Sequence, residues 1–284
     1  MMLARTDQSL TEVTTVTERA QSLAVSRSSL YYQPKLPTKD QTLKTHIEAV
    51  LAEHPSYGHR RIALELGLNR KRILRVMKLF KLKPYRRRAK FPSKPDDQHK
   101  PPSGRHNLIK YFCPIRPNVV WAVDFTYMWF GGRFIYLATV IDIHTRKIIG
   151  WHLSHYHDRF LVVAALTQAM TKTKTMPAYH HSDQGSEYES DEYQAILKQN
   201  NIQISMSRKS SPWENSFQES FYSQFKVDLG HIDRFPTVGE LTEAINYQIH
   251  YYNTKRIHLS LKMSPAKFET NYQTRTNLLT IAKY

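Results

Sequence analysis

Apolar residues recur at helical spacing in the first third of the chain. The spacing predicts three helices, over residues 40–54, 60–66 and 70–80. Gly67 turns the chain between the second and third helices, and the side chain of Asn69 can cap the third. This stretch therefore predicts a small all-α segment with short connections.

From residue 118 the pattern changes to strand-like runs rich in valine and aromatic residues. Runs over 118–130, 134–143 and 147–153 predict an antiparallel meander with short turns. The elements predicted after the meander alternate between the two types: a helix over 158–173, a strand over 177–181, a helix over 189–200, a strand over 202–206 and a helix over 213–230. The predicted fold class is α/β, a mixed sheet flanked by helices and preceded by all-α segments.

Charge is unevenly spread along this pattern. The chain holds 41 Lys and Arg against 24 Asp and Glu, a formal net charge of +17. Residues 1–110 hold 23 basic and 9 acidic residues, whereas residues 111–284 hold 18 and 15. A basic excess concentrated in one part of the chain favours a nucleic-acid partner over an acidic small molecule.

Basic residues mark the third predicted helix, where Arg70, Lys71, Arg72 and Arg75 lie largely off the apolar side. Two short helices, a glycine turn and a basic third helix form the layout of a helix-turn-helix domain, whose last helix enters the DNA major groove. The alternative is a helical bundle with a solvated basic face. Upstream, a predicted helix over 11–24 and a turn with a short helix over 24–31 indicate a partial copy of the same motif.

The densest basic stretch follows this domain. Residues 81–110 hold ten basic residues, two acidic residues and five prolines, which prevent a continuous helix and predict an extended linker. A solvated tether explains the prolines. The clustered cations favour contact with phosphates instead: Arg86, Arg87, Arg88 and Lys90.

Composition excludes several classes of protein. The single cysteine, Cys113, rules out a disulfide framework and any zinc site that needs two cysteines. No apolar stretch approaches the roughly 18 residues of a membrane span, and no secretory signal pattern is present. We therefore expect a cytoplasmic, nucleoid-associated protein.

Three carboxylates stand where a sheet would present them. Asp124 lies inside an apolar strand, where a carboxylate is costly unless it is paired or bound to metal. Asp183 follows the strand over 177–181, and Gly185 permits a close backbone approach there. Glu219 lies on the predicted helix over 213–230.

These motifs resemble the OrfB-type transposases of bacterial insertion sequences, whose core is of the retroviral-integrase, RNase H-like kind. The matching segments are Trp121 to Tyr127, Ser182 to Tyr188, Glu219 to Phe221, Lys226, Tyr252 to His258 and Tyr57 to Ile62. The chain departs from the family's Asp-Asn-Ala at Glu214-Asn215-Ser216 and is shortened over residues 261–265. Neither departure touches the three carboxylates.

The chemistry of three converging carboxylates indicates a metal site. They would repel one another unless cations lay between them. Oxygen ligands without His or Cys suit Mg²⁺ or Mn²⁺, and two such ions about 3.5–4 Å apart promote in-line phosphoryl displacement. We assign Asp124 as the bridging ligand, Asp183 to one ion and Glu219 to the other, which makes these three the candidate catalytic and metal-binding residues.

The resemblance implies a DNA transposase that cleaves a strand at the element end and transfers the resulting 3′-hydroxyl to target DNA. It implies double-stranded DNA partners (terminal repeats and target), a homodimer or higher oligomer on DNA, and an upstream-frame helix-turn-helix protein or fusion. Two alternatives stay open: a catalytically inactive DNA-binding regulator derived from a transposase, and an RNase H-type nuclease.

Other charged residues receive secondary assignments. Arg208, Lys209 and Lys226 are interpreted as phosphate contacts, and Arg256 as either a DNA contact or a structural cap on the last helix. The residues interpreted as structural are Asp142 at a turn, Glu187 and Glu189 in the first turn of a helix, His180 and His181 in strand-end packing, and Glu214, which faces away from Glu219.

The predicted domain organisation has five parts. They are a partial helix-turn-helix arm (1–37), a helix-turn-helix DNA-binding domain (38–82), a basic proline-rich linker (83–112), an integrase-like catalytic core (113–275) and a tail (276–284).

Overall fold

The computed structural model describes residues 15–31, 36–86, 106–173, 175–208 and 212–281. The chain divides into two compact units, one up to His46 and one from Ile47 onward. No helix within these ranges is long and apolar enough to cross a membrane.

The first unit contains two short helices, α1 (Val16–Ser22) and α2 (Arg27–Leu30). Thr15 caps α1 through a reciprocal capping box with Glu18. Ser26 caps α2 through the backbone N–H of Ser29. The predicted helix over 11–24 therefore begins at Val16 within the described residues, and its first part lies outside them.

The sequence predicts three helices over residues 36–86, which we call the helical segment, and the structure contains all three. They are α3 (Leu36–Glu53), α4 (His59–Glu65) and α5 (Arg70–Leu79). Gly67 has φ +62° at the turn, and the Asn69 side chain accepts a hydrogen bond from the Lys71 backbone N–H at 2.8 Å. Ile73, Val76 and Met77 are buried, so the predicted apolar side of α5 is confirmed.

Five strands form one mixed sheet. They are β1 (Val120–Phe130), β2 (Arg133–Asp142), β3 (Ile148–Ser154), β4 (Tyr179–Ser182) and β5 (Gln203–Met206), in the order β3-β2-β1-β4-β5. The first three pair antiparallel, whereas β4 pairs parallel with β1 and β5 pairs parallel with β4. The predicted meander and the mixed sheet are confirmed.

Helices cover both faces of the sheet. They are α6 (Arg159–Lys172), α7 (Ser186–Glu189), α8 (Asp191–Gln199), α9 (Ser216–Leu229), α10 (Val238–Thr254) and α11 (Pro265–Ile281). One prediction differs: the helix expected over 189–200 is interrupted at Ser190. This residue has extended backbone (ψ 140°), and its hydroxyl donates to the Glu187 carbonyl, which ends α7 before α8 begins.

Side-chain alternation along β1 separates two cores. Val120 and Ala122 face the core that contains α9 and α10, and Trp121 and Val123 face the core that contains α6 and α8. Gly150 allows β3 to approach α6, because a Cβ there would lie 2.2 Å from the Ala165 carbonyl oxygen.

The helical segment and the sheet are not separate bodies. The described residues 47–86 and 106–281 belong to the same compact unit. The linker predicted over 83–112 lies largely outside the described residues, and the domain boundaries stay predictions.

Candidate active site

Asp124 lies on β1, two residues beyond Ala122, and on the same face. Side chains alternate along a strand, so Asp124 faces the α9 side of the sheet with Val120 and Ala122. The carboxylate is half-buried, and its Oδ1 accepts the backbone N–H of Phe125 at 2.8 Å. The strand therefore presents a carboxylate to the helix that carries Glu219.

Asp183 follows the last residue of β4. Its Oδ1 accepts the backbone N–H of Gly185 at 3.0 Å. The close approach expected at Gly185 is present, because a Cβ there would lie 2.6 Å from Glu187 Oε2. A larger residue at this position would require the Glu187 carboxylate to move.

Glu219 is exposed in the first turn of α9, and a row of neighbouring side chains fixes this helix to the sheet. Gln218 is fully buried and donates from Nε2 to the carbonyls of Ala122 (2.7 Å) and Thr139 (2.9 Å). Tyr222 donates its hydroxyl proton to the Asp124 carbonyl across 2.6 Å. These bonds set the position of Glu219 along β1.

The pKa shifts indicate that Asp124 interacts electrostatically with Asp183 and with Glu219. Burial raises the pKa of Asp124 well above its usual range, and the charges of Asp183 and Glu219 raise it further. Asp183 counts as exposed overall, yet its carboxyl group is crowded by protein, and this desolvation raises its pKa, as does nearby Glu187. Such a cluster favours either protonation or a bound cation at neutral pH.

The donor chemistry fits a hard divalent cation. Within the described part of the chain, no group of three or more His, Cys, Asp or Glu side chains is placed so that it could hold a metal ion. Two of the carboxylates instead accept backbone N–H bonds, from Phe125 and from Gly185. The oxygen-only set and the mutual repulsion are what Mg²⁺ or Mn²⁺ would relieve.

Sequence reasoning missed two elements of this site. The first is the pair Gln218 and Tyr222, which no catalytic motif marks. Their i, i+4 spacing places them on one helix face, and a polar Gln in an apolar helix could have indicated a buried contact. The second element is a pair in which His157 Nδ1 lies 3.2 Å from Glu187 Oε1, beside Asp183. Glu187 lies in the first turn of α7, as the sequence predicts, and is buried in this pair.

The remaining assigned cations lie in different environments. Those on α5 are exposed: Arg70, Lys71, Arg72 and Arg75. Arg86 is exposed and also donates to the Ser56 carbonyl at 3.0 Å. Lys226 donates to the Tyr127 carbonyl at 3.1 Å and lies close enough to Asp124 to lower its pKa. The cations outside the described residues are Arg87, Arg88, Lys90 and Lys209.

Two arginines form ion pairs, and one of them requires a correction. Arg208 is exposed and pairs with Glu214 at 2.9 Å, so a phosphate would compete with that carboxylate. Arg256 is buried, with 2% of its side chain exposed, in an ion pair with Asp228. Its assignment as a DNA contact is therefore wrong, because no surface of the guanidinium is left for a phosphate. Its backbone N–H donates to the Tyr251 carbonyl at 2.9 Å, at the end of α10.

The structural assignments agree with the contacts. Asp142 accepts the backbone N–H groups of Asn118, His144 and Thr145, as expected of a turn cap. His180 is buried against Tyr193, and burial lowers its pKa to about 3. His181 is buried against the Ser205 hydroxyl, and burial lowers its pKa to about 4.

The chain matches the Integrase core domain family in two overlapping segments, residues 114–212 and 200–265. It is 38% identical over 247 residues to the transposase of insertion sequence element IS904 from Lactococcus lactis subsp. lactis (strain IL1403), covering 82% of this chain and 97% of that protein. The chain belongs to the family of insertion-sequence transposases with an integrase core domain.

A second relative and two solved structures are also similar to the chain. The putative transposase InsK of IS150 from Escherichia coli (strain K12) is 32% identical over 264 residues, covering 88% of this chain and 92% of that protein. Among solved structures, the HTLV-2 integrase catalytic core with magnesium covers 55% of this transposase-family chain at a TM-score of 0.46 and 17% identity. The simian T-cell lymphotropic virus intasome covers 79% at a TM-score of 0.49 and 15% identity.

Proposed function

We propose that this transposase-family chain cleaves DNA at the ends of an insertion sequence and joins the resulting 3′-hydroxyl to target DNA, with Mg²⁺ or Mn²⁺ held by Asp124, Asp183 and Glu219. The observation that carries this proposal is the pairing of β1 with β4, which leads to Asp124 and Asp183 on neighbouring strands, together with the effect of the Asp183 and Glu219 charges on Asp124. Asp124, which interacts with both of the others, would be the shared ligand.

Two divalent cations bound there would activate the attacking oxygen and stabilise the leaving oxygen of an in-line displacement. The chain's own residues prepare that site. Tyr222 holds the backbone of Asp124, Gln218 fixes α9 against β1, and Gly185 keeps the Asp183 carboxylate in its turn. Lys226 would contact a phosphate beside the site, two helical turns after Glu219.

DNA would be held by the basic helix α5 together with the cations that follow it. Helix-turn-helix geometry places such a helix in the major groove. Because transposition joins two element ends, we propose a homodimer or higher oligomer on terminal repeats, with an upstream-frame protein or fusion as a further partner.

The test is strand transfer by the purified full chain on duplexes that carry the element ends, with Mg²⁺. Asp124→Asn, Asp183→Asn and Glu219→Gln are each expected to abolish product, because each removes a charged ligand. Glu243→Gln is the matched control, since Glu243 is also exposed on a helix. Full activity of Asp124→Asn would refute the proposed site, and preferential cleavage of RNA–DNA hybrid would indicate the nuclease instead.

A further inference from the structure

Two sequence motifs that have no role in the proposed chemistry contact each other in the structure. One is the segment from Tyr57 to Ile62 in the helical segment, and the other runs from Tyr252 to His258 after α10. The fully buried Tyr57 accepts the Ile257 backbone N–H on its hydroxyl at 2.7 Å. Arg61 donates from Nε to the Ile257 carbonyl at 2.9 Å. Both backbone groups of one residue are thus bound by the helical segment.

The same contacts extend to the helix that carries Glu219. Gln224 on α9 accepts from Arg256 Nη2 at 2.7 Å and from Arg61 Nη2 at 3.4 Å through one oxygen atom, Oε1. Arg256 also pairs with Asp228, one turn further along α9. We call this set the junction: Tyr57, Arg61, Gln224, Asp228, Arg256 and Ile257.

Burial makes the junction costly to break. Burial lowers the pKa of Arg61 to about 10, which reflects a guanidinium largely removed from water. Apolar contact beside it is incomplete, because a cavity of about 380 Å³ opens between Pro55 and Tyr85 on one side and Leu229 and Tyr247 on the other. The polar contacts, more than apolar packing, therefore connect the helical segment to α9.

We propose that Arg61 is a positioning residue for Glu219: through Gln224 it fixes α9, so that residues 47–86 of the helical segment form part of the support of the active site. The sheet side of α9 is held by Gln218 and Tyr222, and the junction holds the same helix one and a half turns after Glu219. DNA bound to α5 would then act on a segment joined directly to the catalytic helix.

The proposal rests on the role of Glu219 in the proposed function, so one readout is independent of catalysis. Hydrogen exchange of the α9 amides is measured on the full chain without DNA or metal. In Arg61→Met and in Gln224→Leu these amides should exchange about tenfold faster, because a charge-assisted hydrogen bond is removed. Gln224→Glu keeps an acceptor for both guanidinium groups and should restore the original exchange rates.

The rate of strand transfer is then measured at a saturating concentration of the duplex that carries the element ends (end DNA). The dissociation constant of the same DNA is measured in parallel. Arg61→Met should lower the rate about tenfold with the dissociation constant within about threefold. The double variant Arg61→Met/Gln224→Leu should be slowed less than the product of the two single effects, because the bond between Arg61 and Gln224 is lost in both single variants. Arg60→Met is the matched control, because Arg60 is exposed on the same helix and should leave the α9 exchange rates unchanged.

Two results would overturn the proposal: unchanged exchange of α9 in both single variants, or effects on rate that multiply in the double variant. If Arg61→Met does not fold, Tyr57→Phe removes one acceptor at the same junction and should change exchange in the same direction. If Glu219→Gln retains strand transfer while Arg61→Met speeds hydrogen exchange of the α9 amides, the role of the junction is supported and the proposed catalytic site is refuted.

Discussion

Asp124 and Asp183 lie at the same level of two adjacent parallel strands. The pairing of β1 with β4 joins Val120 to Tyr179 and Ala122 to His181, a constant offset of 59 residues. Asp124 and Asp183 are separated by the same 59 positions, two residues beyond the last of these pairs. Continued past the last pair, this register sets Asp183, the first residue after β4, beside Asp124 on β1. Sheet register therefore brings together two carboxylates that are far apart in sequence.

The first prediction concerns stability without metal. Asp124→Asn should raise the unfolding midpoint at pH 7 in chelator, because it removes a charge that burial and two other carboxylates destabilise. A gain of about 1 kcal/mol for each pKa unit relieved corresponds to a rise of about 2–4 °C in the midpoint. Thermal unfolding followed by circular dichroism measures it.

The pH dependence gives this prediction its sign. Asp124 loses its proton at higher pH when folded than when unfolded, so the folded chain binds more protons between those two values. The free energy of unfolding contributed by this group therefore falls as the pH rises from the ordinary aspartate value of about 4 to the raised one. The advantage of Asp124→Asn should vanish below about pH 4, and Mg²⁺ should stabilise only the original chain. An advantage that persists in acid would contradict this account.

The second prediction concerns Gln218, whose amide bridges β1 and β2. Gln218→Met keeps the volume but leaves the carbonyls of Ala122 and Thr139 without this donor, at a cost of about 1–3 kcal/mol. We also expect slower strand transfer at saturating Mg²⁺ and DNA, since Glu219 is the next residue. Gln199→Met, on the exposed side of α8, is the control for both measurements. Equal stability of the two variants would show that the bridge is dispensable.

The elements were predictable because periodicity and turn residues specify them locally. The five strands and the capped helix α5 follow from alternation, from Gly67 and from Asn69. Asp124 and Asp183 were identifiable because a carboxylate in or after an apolar strand is costly without a partner. The break at Ser190 was not identifiable, because a serine is compatible with either helix or cap.

The tertiary contacts were beyond local reasoning. The burial of Arg256 depends on Asp228, which lies 28 positions earlier on another helix. The junction depends on Arg61 and Ile257, which are 196 positions apart. A basic residue gives the same local sequence pattern whether it binds a phosphate or a buried carboxylate. Only the folded structure distinguishes these two roles.

The third prediction tests the DNA role of α5. Replacement of Arg70, Lys71, Arg72 and Arg75 by glutamine should weaken binding to all duplexes. The slope of log affinity against log salt should fall by about 0.9 for each phosphate that the variant no longer neutralises. A salt titration of end-DNA binding measures this slope. Lys198→Gln on α8 is the control for removal of a surface charge, and an unchanged slope in the fourfold variant would place the DNA interface elsewhere.

The fourth prediction contrasts two arginine–carboxylate pairs that differ in burial. In the pair of Arg256 with Asp228, both side chains are at most 7% exposed, whereas the Arg208 side chain, which pairs with Glu214, is 63% exposed. Arg256→Met leaves the buried Asp228 carboxylate without its partner and should cost about 3–5 kcal/mol of unfolding free energy. Arg208→Met should cost at most about 1 kcal/mol, because the Arg208 guanidinium is exposed and Glu214, although only 4% exposed, keeps its bonds from the Asn107 side chain and from the backbone N–H of residue 208. Denaturant unfolding of the full chain measures both.

A second variant separates the charge from the packing around it. In Arg256→Met/Asp228→Leu the unpaired Asp228 carboxylate is gone, so part of the stability that Arg256→Met removes should return. Binding of end DNA by this double variant should match that of the original chain, since Arg256 has no surface to offer a phosphate. Suppose the double variant unfolds at the original denaturant concentration but binds DNA more weakly. Arg256 would then belong to the DNA interface, and the helices around it would have to separate when DNA binds.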